Sequence, residues 1–155
     1  GVNDAPVVTH DGSAWKEAEG FPLALFDPPV PFQSGEARVR FRLMGGSDDF
    51  SAGLVFGYRP DGTYYYVRYN TKDGDVALWQ FVNGDRKRIL HGTEHLQLPL
   101  NTWHELTIEV RGTKVIATVN GKLRLEHTLP APITGRVGFW TKRDSISAFK
   151  GFSVR

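Results

Sequence analysis

Residues 103–127 read WHELTIEVRGTKVIATVNGKLRLEH. Over 103–110 polar and apolar residues alternate, and His104, Leu106, Ile108 and Val110 share one face. A period of two belongs to a strand with one wet face and one buried face. Arg111-Gly112 turns the chain into 113–119, where Val115, Ala117 and Val119 face inward. Asn120-Gly121 follows, the dipeptide that supplies positive φ at both central positions of a type I′ hairpin turn. The chain returns over 122–127 with Leu123 and Leu125 predicted inward. Three antiparallel strands joined by tight turns leave no room for a helix.

The same grammar extends in both directions. Upstream, Ala37, Val39, Phe41 and Leu43 alternate with Glu36, Arg38, Arg40 and Arg42. Strands are predicted over 51–59, 63–70, 76–82 and 86–90. They are punctuated by Pro60-Asp61-Gly62, Asp73-Gly74 and Asn83-Gly84. Downstream, 135–142 and 145–154 complete the set. Residues 1–35 carry Pro6, Pro22, Pro28, Pro29 and Pro31 and read as an irregular wrapping segment, with apolar pieces at Val7-Val8 and 23–26. Roughly eleven short strands with turn signals between them predict an all-β fold, a two-sheet antiparallel jelly-roll sandwich in a single domain over 1–155.

Composition removes several functions. With no cysteine there is neither a disulfide nor a thiolate nucleophile or zinc ligand. The 19 Lys+Arg against 17 Asp+Glu leave a net charge of +2, too balanced to argue for nucleic acid. No apolar run approaches the roughly 18 residues of a membrane helix. The start, Gly1-Val2-Asn3-Asp4, has no basic or apolar leader character, so a leader peptide is expected to have been removed from a secreted or periplasmic protein.

Three stretches carry a family likeness: AGLVFGYRPDGTYYYVRYN (52–70), NTWHELTIEVRGTKVIATVNGK (101–122) and TGRVGFWTKRDSISAFKGFSV (134–154). Together, over 36–154, they resemble the concanavalin A-like jelly rolls of the laminin G and family 16 glycoside hydrolase-like group. They are similar to bacterial secreted domains of the 3-keto-disaccharide hydrolase type. The resemblance implies that 63–70 and 135–142 lie in the concave sheet. This chain departs from the group in two places. It lacks the Glu-x-Asp-x-x-Glu strand motif of family 16 glucanases, since none of its glutamates has an Asp two places on. It also has Phe149-Lys150-Gly151-Phe152 where related domains carry a Phe-Asp-Asp-Phe-like sequence.

The candidate site follows from strand alternation. Tyr64, Tyr66, Arg68 and Asn70 share one face of 63–70, and Tyr65, Val67 and Tyr69 share the other, which is read as the core face. Phenols, a guanidinium and an amide in a row offer flat apolar faces and planar hydrogen-bonding groups, the two things a sugar needs. Trp140 and Lys142 share a face of 135–142 and extend this platform. Trp79 joins it if VALWQFV turns its indole that way, although that segment is apolar on both faces. Trp15 and Trp103 are assigned to packing. The competing reading is that all these aromatics are structural, since cross-strand aromatic pairs stabilise sheets.

Other constellations are weaker. Glu17/Glu19 and Asp73/Asp75 are the i, i+2 carboxylate pairs, one near a terminus and one in a turn. Asp48-Asp49 after Gly45-Gly46 is a partial oxygen set for Ca²⁺, and no cofactor or metal is otherwise expected. Arg38, Arg40 and Arg42 form a basic stripe that either attracts anions or guards a wet sheet face. His104 is read as structural. The expectation is a secreted carbohydrate-binding module without catalysis, taking a poly- or oligosaccharide partner. The alternatives are a glycoside hydrolase or lyase with carboxylates assembled across strands, and a laminin G-like protein-interaction module.

Overall fold

The computed structural model describes residues 7–11, 22–26, 32–45, 50–142 and 145–155. Every regular element among them is a strand. β1 is Val8–Asp11, β2 Leu23–Phe26, β3 Gly35–Gly45, β4 Ser51–Tyr58, β5 Tyr64–Asn70 and β6 Asp75–Val82. β7 is Asp85–His91, β8 His104–Arg111, β9 Lys114–Val119, β10 Lys122–Thr128, β11 Arg136–Thr141 and β12 Ile146–Val154. The irregular first segment thus contributes two short strands. No described helix is long and apolar enough to cross a membrane.

The strands form two six-stranded sheets, ordered β1-β12-β3-β8-β9-β10 and β2-β11-β4-β5-β6-β7. Neighbours within each sheet run antiparallel. The alternation in β3, β8 and β9 sends Val39, Phe41, Leu106, Ile108, Val115 and Ala117 inward, where they meet Leu54, Phe56, Val67, Tyr69 and Leu78 of the second sheet. The Asn-Gly turns work as predicted. Asn83 and Gly84 take φ of 52° and 83°, and Asn120 and Gly121 take 52° and 79°. These are left-handed values that asparagine and glycine tolerate best.

One inward assignment needs correcting. Leu123 is 58 % exposed, whereas Leu125 is buried. Leu123 pairs with Thr118 and Leu125 with Ala117, so Arg124 is an extra residue on that strand. Such a bulge breaks the period of two and places the two leucines on opposite faces.

The segment between β7 and β8 straps one side of the sandwich. Gly92 N donates to Val76 O in the second sheet, and Thr93 N donates to Arg124 O in the first. Leu96 N donates to Gly74 O at 2.6 Å. The Tyr69 hydroxyl locks the strap from beneath, donating to Leu96 O at 3.0 Å and accepting from Leu98 N at 3.1 Å.

Candidate functional site

The two sheets differ on their outer faces. The first sheet alternates between buried and wetter positions, as β8 shows. In the second, β4 is buried on both faces through Gly57, and β5 has only one position that is not fully buried. The reason is a second apolar cluster on the outer face of β11, β4, β5 and β6. It is built from Val55, Tyr64, Tyr66 and Trp140, with Leu23, Leu25, Tyr58, Trp79 and Phe81 packed around them.

Strand register assembles this cluster. Tyr66 pairs with Val55 on one side and Trp79 on the other. Trp140 pairs with Gly53, which also pairs with Arg68. Because Gly53 has no side chain, the indole of Trp140 reaches across β4 onto Tyr66. Their ring centroids lie 4.7 Å apart at 21°. Tyr66 is then parallel to Trp79, at 6.2 Å and 7°. Tyr64 stacks on Phe81 at 5.0 Å and on Tyr58 at 5.8 Å. Offset ring pairs of this kind contribute about 0.5–1.5 kcal/mol each beyond the area they bury.

The face assignment from sequence therefore holds, since Tyr65, Val67 and Tyr69 point to the inter-sheet core and Tyr64, Tyr66, Arg68 and Asn70 point away from it. Exposure is the difference. Tyr64 is 4 % exposed, Tyr66 1 % and Trp140 2 %, so these rings are a foundation and not an open platform. Asn70 is also buried and serves the adjacent turn. Its Nδ2 donates to Ser51 Oγ, and its Oδ1 accepts from the amides of Lys72 and Asp73. Lys142 is half-buried just past the end of β11, so its facing is not set by strand alternation. Burial raises the pKa of both phenols. Tyr64 is held well above an ordinary phenol. Tyr66 is pushed up to about 12, with Arg86 and Arg68 partly offsetting the desolvation.

Trp79 is one of the half-buried members of the cluster, with Tyr58 and Phe81, and its outward facing resolves the ambiguity of its apolar segment. Three guanidiniums lie over its half-buried indole: Arg68 and Arg86 are each 5.3 Å from the ring centroid, and Arg88 is at 5.9 Å. Arg68 is fixed beneath by a buried ion pair, with Nη1 at 2.6 Å from Asp75 Oδ1. The other oxygen of Asp75 lies 2.9 Å from His91 Nδ1, at ion-pair distance but without hydrogen-bond alignment. Glu94 on the strap approaches the same nitrogen at 3.7 Å. Two polar atoms of the cluster, the Tyr66 hydroxyl oxygen and Trp79 Nε1, are buried with no well-formed hydrogen bond, although Arg86 lies beside the hydroxyl.

The residues that sequence reasoning did not bring to this site are Arg86, Arg88, His91 and Glu94. A signal for the two arginines was present. A two-residue turn at Asn83-Gly84 fixes the register, which pairs Phe81 with Arg86 and Trp79 with Arg88. His91 was hidden because a register shift between Leu78 and Trp79 places it opposite Ala77.

The remaining candidates resolve as follows. Arg38 and Arg40 are matched by Glu36 and Glu105 at 2.9–3.8 Å, so most of the basic stripe is neutralised. Trp103, assigned to packing, sits half-buried on that sheet's outer face under Arg42 at 4.8 Å and Lys150 at 4.1 Å. His104 is structural: it lies 2.9 Å from Pro99 O through Nε2 and 3.1 Å from Asn120 Nδ2 through Nδ1. Asp48, Asp49, Trp15, Glu17 and Glu19 lie outside the described residues. Among the described residues no group of three or more acidic or histidine side chains is arranged to hold a metal ion. A small apolar cleft of about 170 Å³ opens between β1 and β2 and touches the aromatic cluster at Leu23, away from the charged groups.

Two face-to-face six-stranded antiparallel sheets in this order define a concanavalin A-like jelly-roll sandwich. No family profile matches the chain, and no curated protein matches it in sequence. Solved structures do match. The carbohydrate-binding module CBM66 from Bacillus subtilis superposes with a TM-score of 0.77 at 16 % identity, over 90 % of this chain and 84 % of that one. A Bacillus subtilis protein of unknown function with a galectin-like fold matches with a TM-score of 0.67 at 12 % identity, over 99 % and 90 %. A Bacillus licheniformis β-glucanase matches at 0.56 and 10 % identity, over 96 % and 95 %. At such identities the likeness establishes the fold.

Proposed function

We propose that this chain is a non-catalytic carbohydrate-binding module that acts outside the cytoplasm. The observation that carries the reading is Trp79: a half-buried indole, stacked on a buried Tyr66–Trp140 base, with three guanidiniums over its ring. Sugar C–H groups pack on the exposed part of such an indole, and sugar hydroxyls accept from the planar guanidiniums over it. A base of stacked aromatics holds the indole in place before the ligand arrives, which lowers the ordering cost of binding. The CBM66 neighbour, itself a carbohydrate-binding module, supports the reading at the level of the fold.

A glycan array followed by calorimetry tests it. Trp79→Ala should lose at least about 2 kcal/mol of binding, as central aromatic anchors do, with the far-ultraviolet spectrum unchanged. The absence of any retained glycan, or unaltered affinity in Trp79→Ala, sinks the proposal.

One observation favours a second reading, a hydrolase. Asp75 and Glu94 both approach His91 Nδ1, so they lie closer together than the roughly 9.5 Å upper limit for paired glycosidase carboxyls. Against it, Asp75 is 1 % exposed and already engaged by Arg68. Hydrolysis of a glycoside panel, abolished by Glu94→Gln with binding retained, would establish the enzyme in place of the module.

A further inference from the structure

We propose that Asn83-Gly84 is a site of spontaneous deamidation in the folded protein, and that the fold protects its twin, Asn120-Gly121. The inference is independent of the carbohydrate-binding reading and stands or falls without it.

The two turns match in most respects. Each carries the sequence Val-Asn-Gly, at 82–84 and at 119–121. Each joins an edge strand to its neighbour, β7 to β6 and β10 to β9. Both asparagines take φ of 52°, and the glycines take 83° and 79°. All four residues are exposed. Neither glycine has an atom near the place a Cβ would occupy, so nothing crowds either turn there. The carboxamides differ. Among the described residues, nothing hydrogen-bonds that of Asn83. That of Asn120 is held at both ends: Oδ1 accepts from Glu105 N at 2.9 Å, and Nδ2 lies 3.1 Å from His104 Nδ1. His104 is set for that contact. Its Nε2 lies 2.9 Å from Pro99 O, which only accepts, so Nε2 carries the proton and Nδ1 accepts from Asn120.

Deamidation begins when Gly84 N, having given its proton to hydroxide, attacks Asn83 Cγ. The new N–Cγ bond closes a succinimide ring as the Cγ–Nδ2 bond breaks. Ammonia leaves with a proton taken from water, which regenerates the hydroxide. Water then opens the ring at one of its two carbonyls. Opening at Cγ gives aspartate; opening at the main-chain carbonyl gives isoaspartate, in which the chain runs through Cγ. Glycine favours the attack, because no Cβ shields its nitrogen and its backbone rotates freely. An exposed turn at a sheet edge opens locally at little cost, which lets Asn83 Cγ and Gly84 N meet. At Asn120 the same motion must first release the Glu105 amide and His104. The Asn83-Gly84 turn also sets the pairing of Val82 with Asp85, Phe81 with Arg86 and Trp79 with Arg88. Isoaspartate adds a carbon to the main chain inside this two-residue turn and strains that register. The chain therefore ages first beside its aromatic cluster.

The test incubates the full chain in mildly alkaline buffer, folded and in urea. Peptide mapping by mass spectrometry follows Asn83 and Asn120, and chromatography separates aspartate from isoaspartate products. In the folded chain Asn83 should deamidate about tenfold or more faster than Asn120, the worth of two modest hydrogen bonds. In urea the difference should disappear. His104→Phe keeps a ring beside Phe41 and removes the acceptor, so it should speed the reaction at Asn120 and leave Asn83 unchanged. Equal rates in the folded chain, a faster Asn120, or no reaction at Asn83 overturns the proposal. A difference that persists in urea overturns it as well, because it then belongs to the neighbours Asp85 and Lys122 and not to the fold. An unmoved Asn120 rate in a folded His104→Phe chain overturns the protection by His104. Where that variant folds poorly, the folded and urea rates of the wild type decide the matter.

Discussion

Arg68 separates the work of holding the site from the work of meeting a ligand. Its row on β5 suggests a ligand contact, but its guanidinium is buried between Asp75 and the Trp79 ring. A buried pair is a weak source of net stability, because two desolvation penalties stand against one attraction. Breaking it is another matter, since the surviving charge is stranded. Arg68→Ala should therefore destabilise the chain by about 3–5 kcal/mol in urea unfolding. The double variant Arg68→Met/Asp75→Leu should recover most of that loss, because no buried charge remains. Equal destabilisation in the single and double variants would show that Arg68 acts through packing alone. Tyr66→Ala belongs to the same class: it removes the ring between Trp140 and Trp79 and should cost about 3–5 kcal/mol. Loss of glycan binding in Arg68→Ala or Tyr66→Ala would thus report collapse of the foundation, which is why Trp79 is the informative position for binding.

At the scale of the element, β4 and β5 show what strand alternation reveals and what it hides. Alternation in 63–70 predicts correctly which side chains face the inter-sheet core, since the period is a property of the backbone. It is silent on whether the other face is wet, because that depends on which distant strands bring rings over it. Trp140, Phe81 and Tyr58 come from three different strands to bury Tyr64 and Tyr66. Turn chemistry located the hairpins, and with them the register opposite Trp79. The bulges at Leu123/Leu125 and Leu78/Trp79 leave no composition signal, so Leu123 was misplaced and the position of His91 opposite Ala77 was not readable. Gly53 is a further element-level device with no signature of its own. A methyl group there would lie 2.4 Å from Val67 O and 3.1 Å from Arg68 Cβ, so β4 and β5 would have to part. Gly53→Ala should destabilise by about 1–3 kcal/mol, the usual range for overpacking. It should also weaken the near-ultraviolet signal of the stacked tryptophans. A variant with unchanged stability and spectrum would show that β4 carries slack that the close approach conceals.

Across the whole molecule, two apolar layers share the second sheet, the inter-sheet core beneath it and the aromatic cluster above. Buried phenols sit in both. Tyr64 and Tyr66 belong to the outer cluster and Tyr69 to the core, where it also pins the strap. In all three, burial raises the pKa above the ordinary phenol value of 10.0. A phenol with a raised folded-state pKa holds its proton more tightly folded than unfolded. Its contribution to stability is complete below the unfolded pKa of 10.0 and is lost as the pH climbs to the folded value, about 12 for Tyr66. Both layers should therefore fail together in alkali. Phenolate absorbance from the buried tyrosines should rise in step with loss of the tryptophan near-ultraviolet signal. Tyr66→Phe should make the fall of unfolding free energy between pH 10 and 12 shallower, by up to about 1.4 kcal/mol per pH unit, the worth of one proton. Reversible ionisation of every tyrosine near pH 10 with the fold intact would mean that the outer cluster admits water and hydroxide freely. In that case Trp79 would lack the rigid base on which its proposed role depends.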